Sequence, residues 1–247
     1  MSRGIAMFLP AWNEAENLPV VVGQAVTYLS SRGEPFVVLI IDDGSSDNTA
    51  QVAATLKAAN PGYVEVIQHS SNRGYGAALR TGFREGLRTG FDWVGFCDAD
   101  GQFDPSDIGK LVDTAEATHS DIALGYRKDR ADSLGRCLMG RAWRSLSHAV
   151  LGYHAIDVDC GFKAFRRDAL LNIERQLISN HATISPEILV RADHAGLTIA
   201  EVGLDHHPRS FGKQSGADFH VVFASLIGLI TVRHNVGPEP GTERKAA

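Results

Sequence analysis

Cysteine is scarce: Cys97, Cys137 and Cys160 are the three in 247 residues, far apart, with none of the close pairing of a disulfide framework or a zinc site. Such usage fits a reducing compartment. Positive charge is also in short supply. The 24 Lys and Arg face 29 Asp and Glu, and the resulting formal net charge of -5 argues against a general nucleic-acid binder, which displaces counterions with surplus basic residues. Any basic site must be local. A long apolar run is missing as well. The longest, from Phe219 to Val232, is interrupted by His220, Ser225 and Thr231 and falls short of the roughly 20 residues that cross a bilayer. Met1 to Gly4 lead directly into a short apolar run, without the basic, apolar and small-residue succession of a secretion signal, so no signal peptide is expected. No internal repeat and no linker divides the chain. Its 44% hydrophobic and 21% charged residues are those of an ordinary globular protein with a sizeable core.

What is present is alternation. Runs rich in β-branched and apolar residues at Ile5 to Leu9, Phe36 to Ile41, Val64 to Gln68, Trp93 to Cys97 and Ile122 to Leu124 read as buried strands. Between them lie stretches of helical periodicity at Glu14 to Leu29, Asn48 to Ala59, Gly76 to Arg88 and Ser106 to Ala117, several opened by an Asn, Asp or Ser suited to N-capping. Strand and helix alternating over the first half predict an α/β fold with a mainly parallel, Rossmann-like sheet, right-handed crossovers and covered faces. In such sheets ligands bind beyond the carboxyl ends of the strands. The second half is less regular, with helices expected at Arg136 to Leu151 and Pro186 to Ala195, a strand at Thr198 to Val202 and a last helix near Ala217 to His234. The tail over 235–247 is expected to be disordered.

Three segments carry chemistry. Ile40-Ile41-Asp42-Asp43-Gly44-Ser45-Ser46-Asp47 is an apolar strand ending in paired carboxylates, which either face the ligand crevice or form a polar turn whose Ser46 or Asp47 caps the next helix. Val94-Gly95-Phe96-Cys97-Asp98-Ala99-Asp100-Gly101-Gln102 repeats the design. Alternation along an extended chain puts Asp98 and Asp100 on one side, where both face one divalent cation, with Gln102 as a third oxygen donor. Hard oxygen ligands without His or Cys favour Mg²⁺ or Mn²⁺ bridging substrate phosphates over zinc. In Asn72-Arg73-Gly74-Tyr75-Gly76 two glycines open a helix whose amides, Gly74 among them, suit an anion. Tight packing explains the same glycines nearly as well, because the third glycine of a dinucleotide fingerprint is absent.

Taken in order, Leu9-Pro10-Ala11-Trp12-Asn13-Glu14-Ala15-Glu16-Asn17, Asp42-Asp43-Gly44-Ser45, Asn72 to Gly76 and Asp98-Ala99-Asp100 resemble the nucleotide-binding half of family 2 glycosyltransferases. The likeness continues through Gly125-Tyr126-Arg127, Asp159 to Arg167 and Arg209-Ser210-Phe211-Gly212-Lys213. Within that family the chain looks most like the dolichol-phosphate mannose synthases and related polyprenyl-phosphate sugar transferases. The resemblance implies a single GT-A type catalytic domain over 1–216, with a nucleotide-binding half about 1–125 and an acceptor half about 126–216, followed by an amphipathic helix over 217–234. It also implies that Pro10, Ala11, Trp12, Glu14 and Asp42 hold base and ribose, that Asp98, Ala99, Asp100 and Gln102 hold diphosphate and metal, and that Arg127, Arg141, Ser145, Arg209 and Lys213 meet an acceptor phosphate. The residues make sense on their own too. From Arg127 to Arg144 six Lys or Arg stand against two Asp, and Arg141 and Ser145 lie one helical turn apart. A forked guanidinium suits phosphate oxygens. Gly101-Gln102-Phe103-Asp104-Pro105 after the metal motif departs from the mannose synthases and leaves the donor open, and Lys and Ser exchange their usual order in the closing motif, so that Arg209 carries over ahead of Lys213.

The reaction so implied is inverting, in-line transfer of a hexose from a nucleotide diphosphate sugar, a UDP-sugar ahead of GDP-mannose, to a polyprenyl phosphate. It would run on the cytoplasmic face of a membrane, with the last helix on the bilayer surface or on a small membrane-protein partner, although that helix equally suits packing on the chain's own core. An ionised lipid phosphate needs little help from a base, whereas a hydroxyl acceptor would need one, from Asp159 or Glu187. The alternatives are a transferase of the same fold acting on a soluble or polysaccharide acceptor, and a nucleotide-sugar-binding subunit without turnover.

Overall fold

A computed structural model describes residues 2–128, 145, 152, 155–209, 211 and 219–236. Arg141, Lys213, the rest of the helix expected at 136–151 and the tail beyond 236 lie outside these residues. Among them, seven strands form one sheet in the order β3-β2-β1-β4-β6-β5-β7. The strands are β1 (Ser2–Ala11), β2 (Phe36–Asp42), β3 (Val64–Gln68), β4 (Phe91–Cys97), β5 (Ile122–Arg127), β6 (Phe162–Arg166) and β7 (Ile199–Leu204). Every neighbouring pair is parallel except those made by β6, which runs antiparallel to both β4 and β5.

The helices are α1 (Leu18–Arg32), α2 (Thr49–Ala59), α3 (Tyr75–Arg88), α4 (Ile108–Ala117), α5 (Arg167–Ile173), α6 (Ile184–His194) and α7 (Phe219–Val236). The sheet is covered on both faces, which is why β2 is buried along its whole length and reads as an unbroken apolar run. Leu18, Val22 and Leu29 of α1 pack one face together with Ile108 and Leu111 of α4. Leu79 and Phe83 of α3 pack the other with Ile173 of α5 and Ile188 of α6. The expected α/β class and parallel frame are therefore present, as one α/β domain.

Two expectations need correction. The first is the helix starts: the helix expected from Glu14 begins at Leu18, after Asn17, and Asn48 makes no side-chain capping bond. Asn17 turns its amide to Glu14, and Asp47 accepts from the Thr49 amide at 2.9 Å at the start of α2. The second is the less regular second half, where residues 162–173, given no expected element, hold β6 and α5. Lys163, Arg166 and Arg167 break the apolar pattern there, yet Lys163 is wholly buried. Its charge, not its shape, is what hides the strand from periodicity.

The last helix packs at least partly on the protein itself. Leu229 and Val232 are buried with Leu124, Val158, Leu189 and Val190, while Ile230 is exposed. No helix among the described residues is long and apolar enough to cross a membrane.

A close approach fixes α3 against β1. A Cβ on Gly82 would lie 2.2 Å from the ring of Phe8, which is fully buried and stacks edge-on with Phe83 at 5.2 Å. Alanine is the better helix former by about 1 kcal/mol, but overpacking a filled core costs typically 1–3 kcal/mol. Gly82→Ala should therefore come out neutral at best and destabilising by up to about 2 kcal/mol, lowering Tm by a few degrees at roughly 2–4 °C per kcal/mol. Differential scanning calorimetry of the variant measures this.

Candidate active site

The parallel strands β1, β2 and β4 end at one edge of the sheet, with Ala11 paired to Asp42 and Phe8 to Phe96. The loops beyond them are tied together. Asn13, with φ of 58°, turns its side-chain oxygen to the Ser46 amide at 2.8 Å, while its own amide donates to Ser45 Oγ at 2.9 Å. Asp42 is fully buried at the strand end. Its Oδ1 accepts from the Ser45 amide at 3.0 Å, and its Oδ2 is buried without a hydrogen-bond partner among the described residues. A buried carboxylate oxygen left open is costly unless a ligand donor meets it. Beside it the chain continues into Trp12, which is 46% exposed.

Asp43 has a different duty. It accepts from the Arg73 amide at 2.9 Å, the Gly74 amide at 2.8 Å and His69 Nδ1 at 2.6 Å, so it is the post to which the loop before α3 is fastened. Those amides are consequently spoken for, and the Gly76 amide bonds Asn180 O at 2.8 Å. A Cβ on Gly74 would lie 2.4 Å from Asn180 O and one on Gly76 2.4 Å from Ser179 O. Of the two readings of this glycine pair, close packing accounts for the geometry.

The acidic pair sits at the end of β4, though not by strand alternation. The strand stops at Cys97, and a turn carries Ala99 and Asp100. Asp98 donates its amide to Gly161 O at 2.9 Å, and its Oδ1 accepts from Tyr75 Oη at 2.8 Å. A Cβ on Gly161 would lie 1.9 Å from Asp98 Oδ2, so only glycine leaves that oxygen in place. Asp100 Oδ1 accepts from the Gln102 amide at 3.0 Å, and the Gln102 side chain donates to His207 O at 3.3 Å. Burial first, and the negative charge of Asp100 second, push the Asp98 carboxyl up to about 7; the Tyr75 hydroxyl, Lys163 and Arg127 pull the other way.

A buried carboxylate whose proton affinity is raised by a neighbouring one fits a divalent cation, which would relieve the repulsion between them. No group of three or more His, Cys, Asp or Glu among the described residues could hold a metal alone. Asp98 and Asp100 would then bind one with substrate oxygens, the habit of Mg²⁺ at phosphate sites.

Lys163, fully buried, donates to Cys160 O at 2.5 Å and lies 5.4 Å from the centre of the Phe96 ring. Burial pulls its ammonium down, against the opposing charges of Cys160, Asp159, Asp157 and Asp98. The sequence did not single it out. Nor did it single out Asp157, whose carboxylate takes both Arg127 Nε at 2.6 Å and Nη2 at 2.8 Å. The alternation of acids in Ile156-Asp157-Val158-Asp159 was the available signal.

Of the residues expected to meet an acceptor phosphate, Arg127 stands in that clamp. Arg209 bonds Glu14 and reaches to within 3.7 Å of Asp100 Oδ2. Ser145 is exposed, and Asp159 half-buried. Arg141 and Lys213 lie outside the described residues. Glu187 is fully buried and structural: its oxygens accept from the Ile178 amide at 3.0 Å, the Ser179 amide at 2.8 Å and Arg191 Nε at 2.8 Å.

Residues 7–173 match the glycosyl transferase family 2 domain. The chain belongs to glycosyltransferase family 2. It is 31% identical to the polyprenol monophosphomannose synthase of Mycolicibacterium smegmatis over 86% of this chain and 81% of that protein. It is 28% identical to the undecaprenyl-phosphate mannosyltransferase of Micrococcus luteus, over 86% of this chain and 88% of that one. In fold this glycosyltransferase is similar to glucosyl-3-phosphoglycerate synthase from Mycobacterium tuberculosis, solved with Mn²⁺, UDP and glucosyl-3-phosphoglycerate. That likeness has a TM-score of 0.72 at 19% identity and covers 97% of this chain and 82% of that one, which makes the fold GT-A.

Removing one partner of a buried ion pair costs about 3–5 kcal/mol because the other charge is stranded. Glu187→Ala, which strands Arg191 and the 178–179 amides, should lose stability on that scale in urea titration. Stability kept with activity lost would return Glu187 to the list of candidate bases.

Proposed function

We propose that this glycosyltransferase moves a hexose from a nucleoside diphosphate sugar, a UDP-sugar ahead of GDP-mannose, to a polyprenyl phosphate, inverting the anomeric centre. The observation that carries this reading is the meeting of Arg209 with the acidic pair at the end of β4, where a guanidinium stands 3.7 Å from Asp100. A cation site and a phosphate-binding group face each other there. Relatives acting on polyprenol and undecaprenyl phosphates support the acceptor class, and a structural neighbour holding Mn²⁺ and UDP supports the cofactor.

Residues 1–125 form the donor half in this reading. Pro10, Ala11 and Trp12 flank the base, and the open Oδ2 of Asp42 accepts a donor from base or ribose. Asp98 and Asp100, with Ala99 between them and Gln102 beyond, hold Mg²⁺ or Mn²⁺. The cation, when bound, offsets the charge that develops on the departing diphosphate. Residues 126–216 form the acceptor half. Arg127, Arg141, Ser145, Arg209 and Lys213 orient the lipid phosphate, whose oxygen is already ionised and attacks without a general base. The Asp157 clamp on Arg127 keeps that guanidinium from swinging across to Asp98. Asp159 would serve as base only for a hydroxyl acceptor. The lipid acceptor puts the enzyme on the cytoplasmic membrane face, with Ile230 on the outer side of α7.

Radiolabelled UDP- and GDP-sugars, offered with polyprenyl phosphate and Mn²⁺, should give a product that partitions into organic solvent. A water-soluble product formed equally well without lipid would replace this acceptor with a soluble one. Asp100→Ala should abolish transfer and the Mn²⁺-dependent thermal stabilisation by the nucleotide, which for the correct base is on the order of 3 kcal/mol at a hundredfold excess over Kd. Unchanged transfer by that variant would remove the metal assignment.

A further inference from the structure

Glu14 was expected, from the resemblance alone, to touch the nucleotide. Both of its carboxylate oxygens are engaged within the protein. One oxygen accepts from Arg209 Nη2, and the other accepts from Asn17 Nδ2 at 2.6 Å. The side chain is largely buried, and the Glu14 amide is itself fixed to Thr49 Oγ1 at 2.9 Å. Arg209 is held on two sides, Nε donating to Phe211 O at 2.6 Å and Nη2 to Glu14, while Nη1 lies 3.7 Å from Asp100 Oδ2, so N–H groups remain for a ligand. Asn17 closes the loop, with Nδ2 also 3.4 Å from Phe211 O.

We propose that Glu14 is the positioning residue of Arg209: a carboxylate on the donor-side loop that aims the acceptor-side guanidinium at the Asp100 end of the site. This rests on Arg209 being an acceptor-phosphate group. The physical reason is entropy and competition together. A free arginine side chain samples many rotamers, a freedom that a charge-assisted pair with a largely buried partner removes before substrate arrives. Without Glu14 the nearest carboxylate to the guanidinium is Asp100, and a direct Arg209–Asp100 pair would turn the arginine away from an incoming phosphate. With Glu14 in place the Nη1–Oδ2 contact stays at 3.7 Å, a loose ion pair rather than a hydrogen bond. The loop after β1 thus sets the geometry of a group 195 residues later in the chain.

The test is a double-mutant cycle on full-length Glu14→Ala, Arg209→Ala and the pair. Acceptor KM is measured with polyprenyl phosphate, and the Kd of UDP or GDP with Mn²⁺ by calorimetry. Glu14→Ala and Arg209→Ala should each raise acceptor KM by roughly 10–100-fold, as expected for a misplaced orienting group. The pair should be no worse than Arg209→Ala, and nucleotide Kd should be the same in Arg209→Ala with or without Glu14→Ala. Glu14→Gln, which keeps an oxygen for Nη2, should recover part of the loss, and serves if the alanine variant folds poorly. Additive losses in acceptor KM overturn the proposal, as does weaker nucleotide binding when Glu14→Ala is added to Arg209→Ala. Absence of wild-type turnover with the lipid phosphate overturns the acceptor reading instead, and the nucleotide arm still decides whether Glu14 is a donor ligand.

Discussion

Negative charge crowded at the end of β4 is the constraint around which this site is organised. Asp98 and Asp100 lie close enough that one raises the proton affinity of the other, and Asp98 is also half-withdrawn from water. Such a pair is expensive in an empty protein. The fold offsets it from several directions: the Tyr75 hydroxyl on Oδ1, the buried Lys163 ammonium from inside the sheet, and Arg209 near Asp100 from the far loop. Gly161 leaves room where any side chain would strike Asp98. The repulsion that remains is what a divalent cation would neutralise.

The same logic explains why arginines near the site come with fixed carboxylate partners. A loose guanidinium beside two aspartates would fall onto them. Arg127 is held bidentately by Asp157, and Arg209 by Glu14. Each arginine therefore reaches the site with part of its hydrogen-bonding capacity spent elsewhere and its direction set. Preorganisation of this kind favours a charge that develops during reaction over one that is merely present beforehand.

Much of the frame was legible in the sequence because strands buried on both faces announce themselves as continuous apolar runs, and because acids at the ends of β2 and β4 stand out against them. The family resemblance rested on those same segments. Other features were hidden for physical reasons. Lys163 disguises β6, since a charged residue in mid-strand reads as surface, and the charges that face it, Asp157 and Asp159 just before the strand and Asp98 from β4's end, meet it only in the fold. Asp157 looks like any loop acid until Arg127 is placed beside it. Asp42 and Asp43 are adjacent and chemically identical, yet one keeps an oxygen open and the other is consumed by a loop and His69. Hydrogen-bond partners of that kind are tertiary, and no local pattern encodes them. Asp98 and Asp100 are not aligned by strand alternation, because the chain turns where an extended strand was assumed.

The antiparallel β6 has a mechanical consequence. It enters the chain late, yet it lies between β4 and β5 and is hydrogen-bonded to both. The segments before and after residue 126 are therefore cross-stitched through one continuous sheet, and cannot swing apart as two rigid jaws. Shape change during a catalytic cycle is thereby confined to the connections beyond the strand ends, where Asp98 and Asp100 themselves sit, above a lysine anchored within the sheet.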